Sequence, residues 1–366
     1  MSHHDLIVVG AGIVGACCAD LASAEGLRVA IIERGPIGGG ATAAAMGHLV
    51  AMDDDPAEFA LARDSLQRWE SLATLAGTEF SRCGTLWVAR SEDEARTAHA
   101  RAARLSAIGV EAQAVDADAL YALEPELAPG LCGGMRVPGE AVVYPPRVAR
   151  ELVARACARG AQLHAGRSVQ RLQHGQAWLD DGSRLSGPVL VTTGCALPEL
   201  LPQLPLRPRK GHLLITDRYP GLLRHQVLEC GYADSAHGDA DSSVAFNVQP
   251  RPTGQILIGS SREYSATDAA VSPAMLQRML ARAIGFMPAL GRLQAVRSWT
   301  GFRPATPDGR PYLGAVPGQP QVWVAAGHEG LGVTTAPASA RLLVDLLLGR
   351  ETAIDPAPYA PSRLCP

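Results

Sequence analysis

Long apolar runs, a surplus of charge of one sign and paired cysteines are all missing from this chain of 366 residues. Each apolar stretch is broken by Gly, Asp or Arg well before the roughly 20 residues that a bilayer span needs, so no transmembrane segment is expected. The 33 basic and 36 acidic residues leave a formal charge of −3 with no block of like charge. That balance excludes a surface built for phosphate backbones or anionic lipid, and nucleic acid is not an expected partner. Lys210 is the single lysine, which we read as codon bias without functional meaning. The eight cysteines show neither a CxxC pair nor metal-ligand spacing, so no metal is expected and a four-cysteine iron-sulfur cluster has no ligand set here. The N-terminus does not read as a signal peptide, and reduced thiols in a cytoplasmic protein, free or peripheral to the inner membrane, are expected. What the chain does have is 47% hydrophobic residues and the length for two or three domains, which excludes disorder, collagen and a small disulfide scaffold.

The most informative segment is the N-terminus. Residues 5–9 form a short apolar, β-branched run, followed by Gly10-Ala11-Gly12-Ile13-Val14-Gly15 and a helical pattern as far as Gly26. A second apolar run over 27–32 ends at Glu33, 21 residues beyond Gly12. Strand, glycine turn, helix, strand and acid in this order describe a dinucleotide site. The glycines let backbone approach a pyrophosphate, the helix N-terminus offers its N–H groups and positive dipole end, and the acid accepts hydrogen bonds from the ribose. The alternative is a tight turn in an ordinary α/β domain.

A run of small residues follows, Gly38 to His48, in which a helix can begin only after the glycines. Amphipathic, charged patterns predict surface helices over 55–75 and 91–109, with a strand over 84–89 between them. Tyr144-Pro145-Pro146-Arg147 opens a helical segment within 142–158, a strand is expected over 161–167, and a strand over 188–191 runs into Thr192-Thr193-Gly194. Short strands over 213–216, 244–248 and 255–259, with a helix near 275–284, predict a separate antiparallel layer for substrate. Near the C-terminus, Gly301-Phe302-Arg303-Pro304 leads through Gly314 to a strand over 322–325, the turn Gly327-His328-Glu329-Gly330-Leu331-Gly332 and a helix through Leu348. A second glycine-rich turn thus aims a helix N-terminus at something bound.

Together Gly10, Gly12, Gly15 and Glu33, the Gly39 to Gly47 segment, Thr193-Gly194, Lys210-Gly211, the Gly301 to Gly314 block and the Gly327 to Gly332 turn resemble the FAD-dependent amine and D-amino-acid oxidoreductase family. Its members include glycine oxidase, sarcosine oxidase and D-amino-acid dehydrogenases, and the resemblance runs nearly end to end. Met46-Gly47-His48 and the Gly327 to Gly332 wording look most like the catalytic β subunits of heteromeric D-hydroxyproline dehydrogenases and the opine oxidase subunits related to them. The resemblance implies an α/β fold: a discontinuous Rossmann-like FAD-binding domain (1–85, 142–210, 300–366) and an α+β substrate domain (86–141, 211–299) whose mixed sheet roofs the isoalloxazine. It also implies oxidation of an amino or imino acid, best D-hydroxyproline, by hydride transfer from the carbon bearing nitrogen to flavin N5. Electrons would then pass to partner subunits carrying an iron-sulfur centre or a second flavin. The alternatives are an oxygen-using oxidase of the glycine or sarcosine type, an opine oxidase subunit, and a flavin-binding or NAD(P)-dependent chain of another kind.

For FAD, expected to be noncovalent, the resemblance implies contacts from Gly10, Gly12, Ile13, Val14, Gly15, Glu33, Arg34, Gly40, Ala41, Thr42, Met46, Gly47, His48, Val169, Thr193, Gly194, Arg303, His328, Gly330, Leu331, Gly332, Val333 and Thr334. Arg303 is expected to fork onto the substrate carboxylate and fix the α-carbon, against a plain surface arginine beside Asp308. The Gly327 to Gly332 turn would set N–H groups where negative charge gathers in the reduced ring. His48 and His328 either contact substrate and tune the flavin or are structural. Tyr232, Phe246 and Asn247 lie in the expected roof, Asn247 near where relatives carry a substrate-facing tyrosine. No general base stands out, and an amine bound in its neutral form needs none.

Overall fold

The computed structural model describes residues 3–173, 175–231, 242–264 and 266–364. A six-stranded sheet holds, in spatial order, Tyr312–Val316, Gln319–Ala326, Val189–Val191, Leu6–Val9, Val29–Glu33 and Gln162–Ala165. All neighbours are parallel except the Tyr312–Val316 edge. Such a sheet is covered on both faces, which is why Leu6–Val9 is apolar at every position. Leu6, Val8, Ile31 and Leu190 pack with Ala16, Leu152 and Leu343 from the helices Ile13–Ala24, Pro145–Ala158 and Gly332–Leu347. Alternate residues Ile7, Val9, Ile32 and Val191 pack on the other face with Leu197, Leu201 and a three-stranded sheet carrying Ala177, Leu179 and Leu185.

The second layer is an eight-stranded mixed sheet ordered Ala295–Ala305, Arg207–Arg218, Gln255–Glu263, Ser242–Pro250, Gln226–Glu229, Thr85–Val88, Gly134–Val137 and Gln113–Val115. It is antiparallel but for the pairing of Gln226–Glu229 with Thr85–Val88. The helix Pro273–Phe286 covers one face, where Phe246 stacks on Phe286 with ring centroids 4.6 Å apart. Arg207–Arg218 and Ala295–Ala305 run through positions 210 and 300 without a break, tying this layer to the first.

The expected helices and strands are present with ends moved by a few residues, and their caps show why. Asp55 accepts from the N–H groups of Ala57 and Glu58 ahead of Pro56–Leu72, and Ser91 caps Glu92–Ala107. The glycine run gives a short helix, Gly40–Ala44, N-capped by Gly39. Unforeseen were Ala117–Leu123, Gly134–Val137 and the three-stranded sheet from Val169 to Ser186, whose members are three to seven residues long and carry little periodicity. Among the described residues no helix is long and apolar enough to cross a membrane.

Candidate active site

The first glycine turn is shaped by contacts that exclude side chains. Gly10 has φ +103°, and a Cβ on Gly15 would lie 2.0 Å from the Gly10 carbonyl oxygen and 2.5 Å from Thr192 Oγ1. The first helix therefore seats directly on the strand crossover, the work expected of the third glycine. Glu33, at the tip of the second strand, accepts from Ala11 N–H at 2.6 Å and Gly35 N–H at 2.7 Å, so its carboxylate is locked beside the turn. Gly12 caps the helix without a side chain, and Thr42 Oγ1 accepts from Ile13 N–H at 3.0 Å.

A cavity of about 550 Å³ opens at this turn. Gly10, Gly12, Ile13, Val14, Glu33, Arg34, Gly40, Ala41, Thr42, Val169, Thr193, Gly194, His328, Gly330, Gly332 and Val333 all line it, bringing together residues more than 300 positions apart. Gly15, Leu331 and Thr334 do not. Gly15 acts through packing, and Thr334 Oγ1 donates to the His48 carbonyl at 2.9 Å. Arg34 also pairs with Glu199 at 3.1 Å.

Against it lies a smaller cavity of about 100 Å³, sharing Ala41, Ala44, Phe302, Glu329 and Val333 with the first. Met46, Gly47, His48, Asn247, Ser260 and Arg303 line this one alone. Of the four residues expected to carry chemistry, Arg303, His48 and Asn247 thus meet in one place, and His328 faces the larger cavity. Phe246 is turned away into the core, and Tyr232 lies outside the described residues.

Arg303 is not the surface arginine beside Asp308, which pairs with Arg363 at 2.7 Å. Its Nη1 donates to the Ser261 carbonyl at 3.1 Å, and a Cβ on Gly211, two residues beyond its ladder partner Arg209, would fall 2.5 Å from that Nη1. The glycine of the Lys210-Gly211 step makes room for the guanidinium. Sequence reading missed Glu329, which lines both cavities and holds φ +44°, a conformation that costs a non-glycine residue about 1–3 kcal/mol. Arg209 donates to it at 3.3 Å. Burial pushes its carboxyl up, but Arg303, Arg262 and Arg209 outweigh burial and hold it below the usual range. An acid inside a glycine-rich turn was the available signal. Of these charged groups Arg303 and Glu329 line the small cavity itself, so a guanidinium is on hand there for an anionic ligand.

Both histidines are neutral. Burial lowers His48 to about 4, against the Gln226 hydrogen bond, and burial lowers His328 to about 4. His328 Nε2 lies 3.1 Å from Ser339 Oγ on the last helix, a structural tie. An unfolded histidine titrates near 6.5, so the stability a neutral buried ring contributes is complete above that pH and lost as pH falls toward about 4. His328→Gln is therefore expected to lose less melting temperature than the wild type between about pH 7 and about pH 5, read by thermal scans at both pH values.

The match to known proteins settles the class. Residues 5–346 fit the model of a family described as FAD dependent oxidoreductase. The chain belongs to that family. It is 33% identical to a glycine oxidase of Pseudomonas aeruginosa over 98% of each chain. It is 28% identical to the glycine oxidase of Geobacillus kaustophilus, whose crystal structure superposes with a TM-score of 0.89 over 99% of both chains. An L-proline dehydrogenase from P. horikoshii shares the fold at 20% identity and a TM-score of 0.89.

Membership makes FAD the cofactor of an FAD-dependent oxidoreductase, and the larger cavity fits it. Its glycine-lined wall exposes backbone rather than side chains, and Thr193 Oγ1 is a buried polar atom with no hydrogen-bond partner. Buried unpartnered atoms of this kind are uncommon and mark where a polar ligand is needed. Among the described residues no group of His, Cys, Asp or Glu could hold a metal ion.

Proposed function

We propose that this protein is a self-sufficient oxidase of small amino or imino acids, of the glycine oxidase type, using dioxygen as final acceptor. The observation that carries the reading is the small cavity at Arg303 beside the larger glycine-lined one. The glycine oxidase relatives, alike over almost the whole chain, support oxygen over a partner-dependent D-hydroxyproline dehydrogenase. Bound FAD supplies the two-electron acceptor for the hydride leaving the carbon that bears nitrogen.

The chain's own residues bind and orient. Arg303 takes the substrate carboxylate in a bidentate fork, Gly211 leaves space for that fork, and a volume of about 100 Å³ limits the side chain. Neutral His48 leaves no cationic imidazole to repel an ammonium group. The product imine hydrolyses in water. FAD is held noncovalently on this reading. Cys195 lines the larger cavity, but burial pushes its thiol up to about 11 and it donates to the Phe302 carbonyl at 3.4 Å, so it is a poor nucleophile.

Anaerobic titration of the purified chain with glycine, sarcosine, D-proline, cis-4-hydroxy-D-proline and octopine tests the reading. Bleaching of the flavin by glycine or sarcosine, with peroxide on admission of air, is expected, as is release of the flavin by acid precipitation. Bleaching by cis-4-hydroxy-D-proline alone, with reoxidation only when partner subunits are added, would restore the dehydrogenase.

A further inference from the structure

The lining of the small cavity carries two polar atoms with no role so far. Asn247 is 2% exposed and Ser260 is 1% exposed. Both residues line the cavity, and Asn247 Oδ1 and Ser260 Oγ are buried atoms with no hydrogen-bond partner. They come from adjacent strands, where Asn247 pairs across the ladder with Gly259, the residue before Ser260. Strand alternation turns Phe246 into the core and Asn247 to the opposite face.

The orientation of the Asn247 amide is fixed by a chain of hydrogen bonds that ends far from the cavity. Gln226 Nε2 donates to Thr85 Oγ1 at 2.6 Å, which leaves Gln226 Oε1 as an acceptor against His48 Nδ1. The single proton of the neutral imidazole therefore sits on Nδ1, and Nε2 is a bare acceptor. Asn247 Nδ2, 3.1 Å from that nitrogen, is the donor to it. The amide oxygen is thereby committed to the other side, free of His48.

We infer that Asn247 Oδ1 and Ser260 Oγ hold the substrate nitrogen by accepting its N–H groups, while Arg303 holds the carboxylate. The assignment rests on the amine-oxidising reading above and deepens it. A primary amine offers one N–H to each oxygen. A neutral secondary amine has one N–H, which goes to Asn247. His48 and Gln226 act as positioning residues, through Asn247.

Two variants and one silent ligand test this. Asn247→Leu keeps the volume and removes the acceptor, and its KM for glycine and for sarcosine is expected to rise about tenfold or more. Propionate keeps a carboxylate and lacks N–H, so its dissociation constant, read from flavin difference spectra without turnover, is expected to shift by less than about threefold. Ser260→Ala is expected to raise KM for glycine and leave sarcosine within about twofold. Equal loss of propionate and amine binding would make Asn247 merely structural and overturn the assignment, as would unchanged amine KM values in both variants. If no amine bleaches the wild-type flavin, the oxidase reading falls first and this one with it. The wild type alone thus separates the two failures.

Discussion

Arg303→Leu is expected to lower kcat/KM for the amine substrate by about two to three orders of magnitude, through KM more than kcat, while the purified variant keeps its flavin. The size follows from stranding a carboxylate in a small cavity without its fork, which costs about 2–5 kcal/mol. The selectivity follows from position, because Arg303 lines the small cavity and not the larger one. Arg303→Lys keeps the charge and loses the bidentate geometry, so it should recover only part of the loss. Steady-state kinetics alongside the ratio of flavin to protein absorbance checks both statements. A variant that lost flavin and substrate together would place Arg303 in the cofactor site instead.

Gly15→Val is expected to give an apoprotein, or no soluble protein at all. The lesion is steric rather than conformational, since the added Cβ would stand 2.0 Å from the Gly10 carbonyl oxygen and 2.5 Å from Thr192 Oγ1. Neither the turn nor the crossover can yield without moving the helix N-terminus away from the larger cavity, and a cost of about 3 kcal/mol or more is expected for such overpacking. Gly26 is the control. It has φ +83° but nothing within 4 Å of an added Cβ, so Gly26→Ala should cost about 1 kcal/mol and leave the flavin in place. Thermal melts and flavin content of the two variants give the comparison, and equal flavin loss in both would remove close packing as the reason for Gly15.

The nucleotide half of the site was legible because its signals are local. Residues 6–33 carry strand, turn, helix, strand and acid in one continuous stretch, and the structure adds only that Glu33 is pinned by Ala11 and Gly35. Arg303 and the final glycine turn were legible for the same reason, each sitting in a short marked string. The roof was not. Which of Phe246 and Asn247 faces the cavity depends on the register of Ser242–Pro250 against Gln255–Glu263, and a slip of one residue would exchange them. Glu329 was passed over because its role arises from Arg209, Arg262 and Arg303 on other strands. Ser260 carries no signal of its own, and only its missing partner draws notice.

The central claim is that this chain alone passes electrons to dioxygen, and rapid mixing tests it most directly. Enzyme reduced anaerobically by glycine is mixed with air-saturated buffer, and flavin reoxidation is followed together with peroxide. The account predicts reoxidation at least as fast as steady-state turnover, with one hydrogen peroxide formed for each amine oxidised. Reduced flavin that persists through many turnover times in air, and is discharged only by an added dye or by partner subunits, would contradict it.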